Sequence, residues 1–150
     1  MVLLYSTAVR SDGCMDDMYN IFGTSAGKVY ETLTTKGPMA ADDLVKTTGL
    51  NAEQFNGVVG WLARENKLNK CEDNTFCIGE TNMYDFIGNN AGKVWKVLDI
   101  WGEMDLASIC RLTHMAEDET FQAIGWLARE GKVDGNMLSQ YNTKKVFWLK

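Results

Sequence analysis

The stretch Gly23-Thr24-Ser25-Ala26-Gly27-Lys28-Val29 is the nearest approach in this chain to a phosphate-binding loop. Such a loop needs four residues between its glycines and a Ser or Thr after the lysine. Its backbone N–H groups must curl around a phosphate, and the hydroxyl must reach the metal. Here only three residues intervene, and Val29 follows Lys28. Helical spacing surrounds the motif where a strand should precede it. These departures argue against nucleotide binding. Gly23 and Gly27, one helical turn apart, read instead as a site of close helix packing. Lys28, and the Lys93 that repeats it, are expected to be solvated or paired with a nearby acid.

His114 is the only histidine. A metal site needs several ligands at defined spacing, and no Cys or carboxylate cluster accompanies it. It occupies a helix-turn position, which suits a capping or surface role. No Ser/His/Asp or Cys/His set can be built twice over, and a duplicated unit with a single His is a poor host for a triad. The chain therefore reads as non-enzymatic, with no catalytic residues, cofactor or metal. Cys14, Cys71, Cys77 and Cys110 form neither a CxxC pair nor a disulfide framework. Cys71 and Cys77 fall on two strands of one hairpin and could face each other. Reduced thiols in a cytoplasmic protein are the expectation.

What remains are side chains that bind rather than react, and a repeat places them. GWLARE occurs at Gly60–Glu65 and again at Gly125–Glu130, an offset of 65 residues. The same offset lays Ala26–Val29 on Ala91–Val94, Met18 on Met83, Leu33 on Leu98 and Gly37 on Gly102. One folding unit is written twice, so architecture follows from the repeat before any local propensity. The expected division is an N-terminal extension over 1–17, a first module over 18–80 and a second over 83–150. The linker of about four residues, Gly79–Asn82, is too short to let the modules tumble freely. A fixed orientation with a buried interface follows.

Each module takes the same course. Phe22, Ala26, Val29, Tyr30 and Leu33 recur at helical spacing, as do Ile87, Ala91, Val94, Trp95 and Leu98. A short extended piece follows at Met39 or Met104, then a second helix over Ala41–Thr48 or Leu106–Thr113. Gly49 stands where a left-handed C-cap is wanted. Asn51 and Gln54 form a capping-box pattern. A third helix runs over Ala52–Asn66 or Glu117–Glu130. The pattern then alternates: strands at Lys67–Glu72 and Thr75–Ile78 flank the turn Asp73-Asn74, and strands at Lys132–Leu138 and Lys145–Leu149 flank a longer loop. Helix, short strand, helix, turn, helix, hairpin is the winged helix-turn-helix order. The fold class is mainly α with small β-hairpins, an α+β tandem.

The pattern IGxxAGKVWxxL, then GxM, then IGWLAREGKV resembles a family of small winged helix-turn-helix proteins of unassigned function in bacteria and archaea. The second module carries it in Ile87, Gly88, Ala91–Trp95, Leu98 and Ile124–Val133. The first departs at Phe22, Tyr30 and Asn66, and Phe55 and Phe121 fall one position out of register. The resemblance covers nearly all of Met18–Lys150. It implies the fold and brings no established activity, since a DNA-binding label taken from the fold is an analogy.

The third helix poses the functional question. Phe55, Val58, Val59 and Leu62 share its core side. The outer side presents Asn56, Gly57, Gly60 and Arg64, flanked by Trp61; in the second module it presents Phe121, Gln122, Gly125 and Arg129, flanked by Trp126. In a DNA-reading winged helix this side enters the major groove. Asn56, Gln122, Arg64 and Arg129 could contact bases or phosphates. Lys67 and Lys132 lie nearby, and Lys144 and Lys145 stand where a wing would reach a phosphate.

Charge opposes that reading. The chain carries 15 basic and 20 acidic residues, a net −5. It divides as −2, −2 and −1 over 1–17, 18–82 and 83–150. Phosphate contacts dominate nucleic-acid affinity, and neither module is basic. Glu53, Glu117, Asp118 and Glu119 at the helix starts suit the helix dipole and repel phosphate. The glycines at 60 and 125 each cost about 1 kcal/mol in a helix interior. Something must approach there: a neighbouring element of the fold, or a partner on a flat aromatic surface. Trp61 and Trp126 admit the same two readings.

The sequence thus points to a non-enzymatic binding protein. The first reading is transcription-regulator-like binding of double-stranded DNA. The other is a protein–protein adaptor without direct DNA contact. A homodimer is compatible with both. A membrane is not, since no transmembrane stretch is present and the opening Val2-Leu3-Leu4-Tyr5 is too short for a signal core. The expected location is the cytoplasm.

Overall fold

The computed structural model describes residues 18–136 and 145–150. The N-terminal extension, Cys14 and Lys144 lie outside the described residues. The first module consists of α1 (Met18–Lys36), β1 (Met39–Ala40), α2 (Ala41–Thr48), α3 (Ala52–Arg64), β2 (Leu68–Cys71) and β3 (Thr75–Ile78). The second repeats the order with α4 (Tyr84–Trp101), β4 (Met104–Asp105), α5 (Leu106–Thr113), α6 (Glu117–Arg129), β5 (Val133–Gly135) and β6 (Val146–Leu149). Each module carries one small antiparallel sheet, in the order β1-β3-β2 or β4-β6-β5. This is the tandem winged helix-turn-helix expected from the repeat.

Local chemistry explains the boundaries. Asn51 and Gln54 form the reciprocal capping box at the start of α3. At the equivalent start of α6, Ala116 offers no acceptor. Only the Glu119 half survives, accepting from the Ala116 N–H at 3.1 Å. Helix α2 ends at Gly49 with φ 75°, and α5 ends at His114 with φ 59°. His114 is therefore a left-handed helix cap. Asn66 and Gly131 repeat the theme after α3 and α6, at φ 62° and 72°. Asn is the non-glycine residue that best tolerates this region, so the sequence difference between the modules leaves the backbone unchanged. Asp73 and Asn74 both have positive φ, the geometry of a tight hairpin turn.

One hydrophobic core runs through both modules. The first contributes Phe22, Leu44, Val58 and Leu62; the second contributes Ile87, Ile109, Ile124 and Leu127. Phe55 packs edge-on against Phe76 of the first wing at 5.7 Å, and Phe121 against Phe147 of the second at 6.1 Å. Phe121 is buried, which corrects its assignment to the outer side of its helix. The repeat slips by one residue here. Phe121 stands three and seven residues before the buried Ile124 and Ala128, so it lies at the edge of the core stripe of α6, where the wing phenylalanine covers it. Thr120, which takes the repeat position of Phe55, is fully buried and donates to the Ala116 carbonyl at 2.8 Å.

The linker is tied to the first wing. The Asn82 side chain accepts from the Lys70 N–H at 2.9 Å and donates to the Lys70 carbonyl at 2.7 Å. Asn66 accepts from the Thr81 N–H at 2.9 Å. At the other end, the Met18 N–H donates to Asp134 on β5 at 3.2 Å, so α1 begins on the opposite module's wing.

Candidate functional site

Helices α3 and α6 pack on each other through the sides that the sequence left open. A Cβ added at Gly60 would stand 1.8 Å from the Gln122 carbonyl oxygen. One added at Gly125 would stand 1.8 Å from the Gly57 carbonyl oxygen. Gly57 and Gln122 are equivalent under the 65-residue offset, as are Gly60 and Gly125. Each glycine therefore meets the repeat-mate of the residue that its own repeat-mate meets. This is the reciprocity of a two-fold interface, formed within one chain. Glycine is required on both helices because the backbones touch. Of the two readings for Gly60 and Gly125, a neighbouring element of the fold is the one realised.

Polar groups follow the same two-fold relation. Arg64 pairs with Glu130 at 3.1 Å, and Arg129 with Glu65 at 2.9 Å. Each guanidinium also lies over the tryptophan of the other module, Arg64 above Trp126 at 5.7 Å and Arg129 above Trp61 at 5.6 Å. Lys67 and Lys132 reach back to the same carboxylates, at 3.7 Å from Glu65 and 3.4 Å from Glu130. Gln122 donates to the Asn56 side chain at 3.1 Å. Lys145 pairs with Glu53 at the start of α3 across the module boundary.

The described residues of the sequence-derived binding set are thus engaged inside the chain, with each other or with neighbouring carboxylates. Gly60, Trp61, Gly125 and Trp126 are buried. Asn56 accepts from Gln122 and donates to the Ala52 carbonyl, and Arg64 and Arg129 are engaged by carboxylates and indoles. Lys145 is held by Glu53. The expectation that this side enters a DNA groove is therefore corrected: no duplex can lie where a helix already lies. Lys67 and Lys132 remain half exposed at the rim.

Two grooves flank the interface, one in each module. The larger, of about 520 Å³, lies between α4 and α6 over Gly88, Gly92, Trp95, Trp126 and Lys132. The smaller, of about 260 Å³, lies over the repeat-mates Gly23, Gly27, Tyr30, Trp61 and Lys67. The expected close packing at the α1 glycines is only half realised. A Cβ at Gly23 would meet Trp61 at 3.3 Å, whereas nothing lies within 4 Å of one at Gly27. Gly88 and Gly92 behave the same way against Trp126.

Sequence reasoning missed one surface. Ile100 and Trp101 at the end of α4 are 62% and 65% exposed, and Leu112 on α5 is 41% exposed. Trp101 and Leu112 line a groove of about 480 Å³ with Met104, Ser108 and Arg111. Their repeat-mates in the first module are Thr35, Lys36 and Thr47. The signal lay in that comparison: these positions turn apolar in one copy only. Among the described residues there is no cluster of three potential metal ligands, and no helix is long and apolar enough to cross a membrane.

A family model described as a winged helix-turn-helix domain (DUF2582) matches the chain twice, over residues 15–78 and 80–147. An uncharacterized protein of Methanocaldococcus jannaschii, MJ1608, is 34% identical over 56 residues, which make up 36% of this chain and 80% of that protein. That relative is thus about one module in length. No solved structure gives a significant match. With both halves of its length matched, this chain belongs to the DUF2582 winged helix-turn-helix family and carries the domain in tandem.

Proposed function

We propose that this protein is a non-enzymatic adaptor that docks another protein through its outer helical surface, without direct DNA contact. The packing of α3 on α6 carries the reading. The two helices that a winged helix would insert into DNA are each other's partner, joined backbone to backbone at Gly60 and Gly125. The acidic balance of the chain points the same way. The docking surface on this reading is the exposed Ile100, Trp101 and Leu112. Tryptophan is a common interface anchor, and the first module keeps the same positions polar.

The test places a photoreactive residue at position 101 or 112, with positions 36 and 47 as controls. A discrete crosslinked protein at the first pair and not at the second is the expected result. Equal labelling at all four positions would end the reading.

DNA binding is the second reading, favoured by a fold that is commonly DNA-binding. A labelled mixed-sequence duplex titrated at low salt decides it. No saturable binding is expected at roughly tens of micromolar protein. Binding whose affinity falls steeply with salt, each phosphate contact adding about 0.9 to the slope, would restore it.

A further inference from the structure

Cys71 closes β2, and Cys77 lies within β3. In the antiparallel register Cys71 stands opposite Thr75, and Cys77 opposite Asn69. Alternation then puts Asn69, Cys71, Thr75 and Cys77 on one face of the first wing, while Leu68 and Phe76 point into the core. The two sulfurs meet diagonally on the outer face at 2.7 Å. Both cysteines are free thiols and both are partly exposed. The second wing has no counterpart, since its described residues contain no cysteine.

We infer that Cys71 and Cys77 form an oxidative modification site, a dithiol that exchanges with low-molecular-weight disulfides to close a bond across the first wing. A thiolate of the pair attacks one sulfur of the external disulfide and releases one thiolate of it. The second protein thiol loses its proton to solvent and attacks the protein sulfur of the mixed disulfide, releasing the other half. Two electrons pass from the protein to the external disulfide, which leaves as two thiols. Because the second sulfur is already in contact, the mixed disulfide is short-lived. The Cys77 thiol is held above its ordinary pKa, first by the hydrogen bond with Cys71, then by burial, then by charge on Cys71. Exchange therefore quickens as pH rises and more thiolate forms.

Asn69 couples the pair to the rest of the chain. Its Oδ1 lies 3.7 Å from the Cys71 sulfur and 3.8 Å from the Cys77 sulfur, while its Nδ2 donates to the Glu80 carbonyl in the linker at 2.9 Å. Oxidation removes the thiol hydrogens shared among the two sulfurs and that amide, and pins the strand ends about the Asp73-Asn74 turn. The wing, and through Asn69 its hold on the linker, then depends on redox state.

The full chain is incubated in oxidised glutathione and read by intact mass, thiol alkylation and peptide mapping. Peptide mapping should show Cys71 and Cys77 joined, the linked peptides about 2 Da lighter than their reduced forms, with no glutathione on either. Cys71→Ser and Cys77→Ser should each retain one glutathione on the remaining thiol. Amide exchange should slow over residues 68–78 on oxidation and stay unchanged over 146–149. Stable glutathione adducts on both cysteines of the unaltered chain would overturn the inference. So would full alkylation of both after exposure to oxidised glutathione alone. A closed bond with unaltered exchange over 68–78 would overturn the coupling to the wing.

Discussion

Gly60 lies directly on the carbonyl oxygen of Gln122, so close that a methyl group added to it would stand 1.8 Å from that oxygen. The mirror contact joins Gly125 to Gly57. No rotamer relieves a Cβ placed against backbone, so one helix must retreat. Gly60→Ala and Gly125→Ala should each destabilise by about 1–3 kcal/mol, and the Leu variants by more. Urea denaturation measures this. Variants that unfold at the parent midpoint would mean that the two helices do not touch in solution.

The opposite sign is expected at Gly27 and Gly92. Both lie in helix interiors, and a Cβ at either meets nothing within 4 Å. Alanine should stabilise by up to about 1 kcal/mol at each through helix propensity. Thermal melts of the single and double variants test it. A loss of stability would reveal packing on that face absent from this structure.

The Arg–Glu pairs hold orientation more than stability. Arg64 and Arg129 side chains are 39% and 38% exposed, so water screens both pairs. A double-mutant cycle on Arg64 and Glu130 should return a coupling of about 0–1 kcal/mol that shrinks with salt. A coupling well above that, insensitive to salt, would mean that the pair is sealed from solvent.

The second module alone, residues 83–150, should self-associate. Loss of α3 uncovers Gly125 and Arg129 on α6, while Trp126 stays packed on Tyr84 and Gly88, and the face is complementary to its own repeat. Analytical ultracentrifugation should give a dimer, and Gly125→Leu should abolish it. A well-folded monomer at roughly micromolar concentration would show that the face needs the asymmetry between Gly57 and Gln122.

His114 occupies a left-handed cap that the first module gives to Gly49. His114→Gly should therefore stabilise by roughly 0.5–1 kcal/mol, and His114→Ala should not. A shift in melting temperature decides the sign. Equal effects of the two substitutions would point to a contact of the imidazole itself.

Much of this protein is set by short-range rules that a sequence carries openly. The Asn51–Gln54 capping box, the Gly49 cap and the Asp73-Asn74 turn each act within a few residues, and the 65-residue repeat states the same course of elements twice, so the elements and their order are readable. Pattern also marked Gly60 and Gly125 as positions where something must come close, because glycine in a helix interior carries a cost that no local feature explains. What comes close depends on atoms 62 to 68 residues away along the chain, at Gln122 and Gly57. No periodicity within a helix encodes that distance. Only when α3 met α6 were Arg64, Arg129, Asn56 and Gln122 committed to partners inside the chain. Phe121 sits at the edge of its helix's core stripe, and the contact with the wing Phe147 places it inside. Tertiary packing therefore removed the expected binding side from the surface. It left Trp101 and Leu112 exposed at positions where the first module is polar.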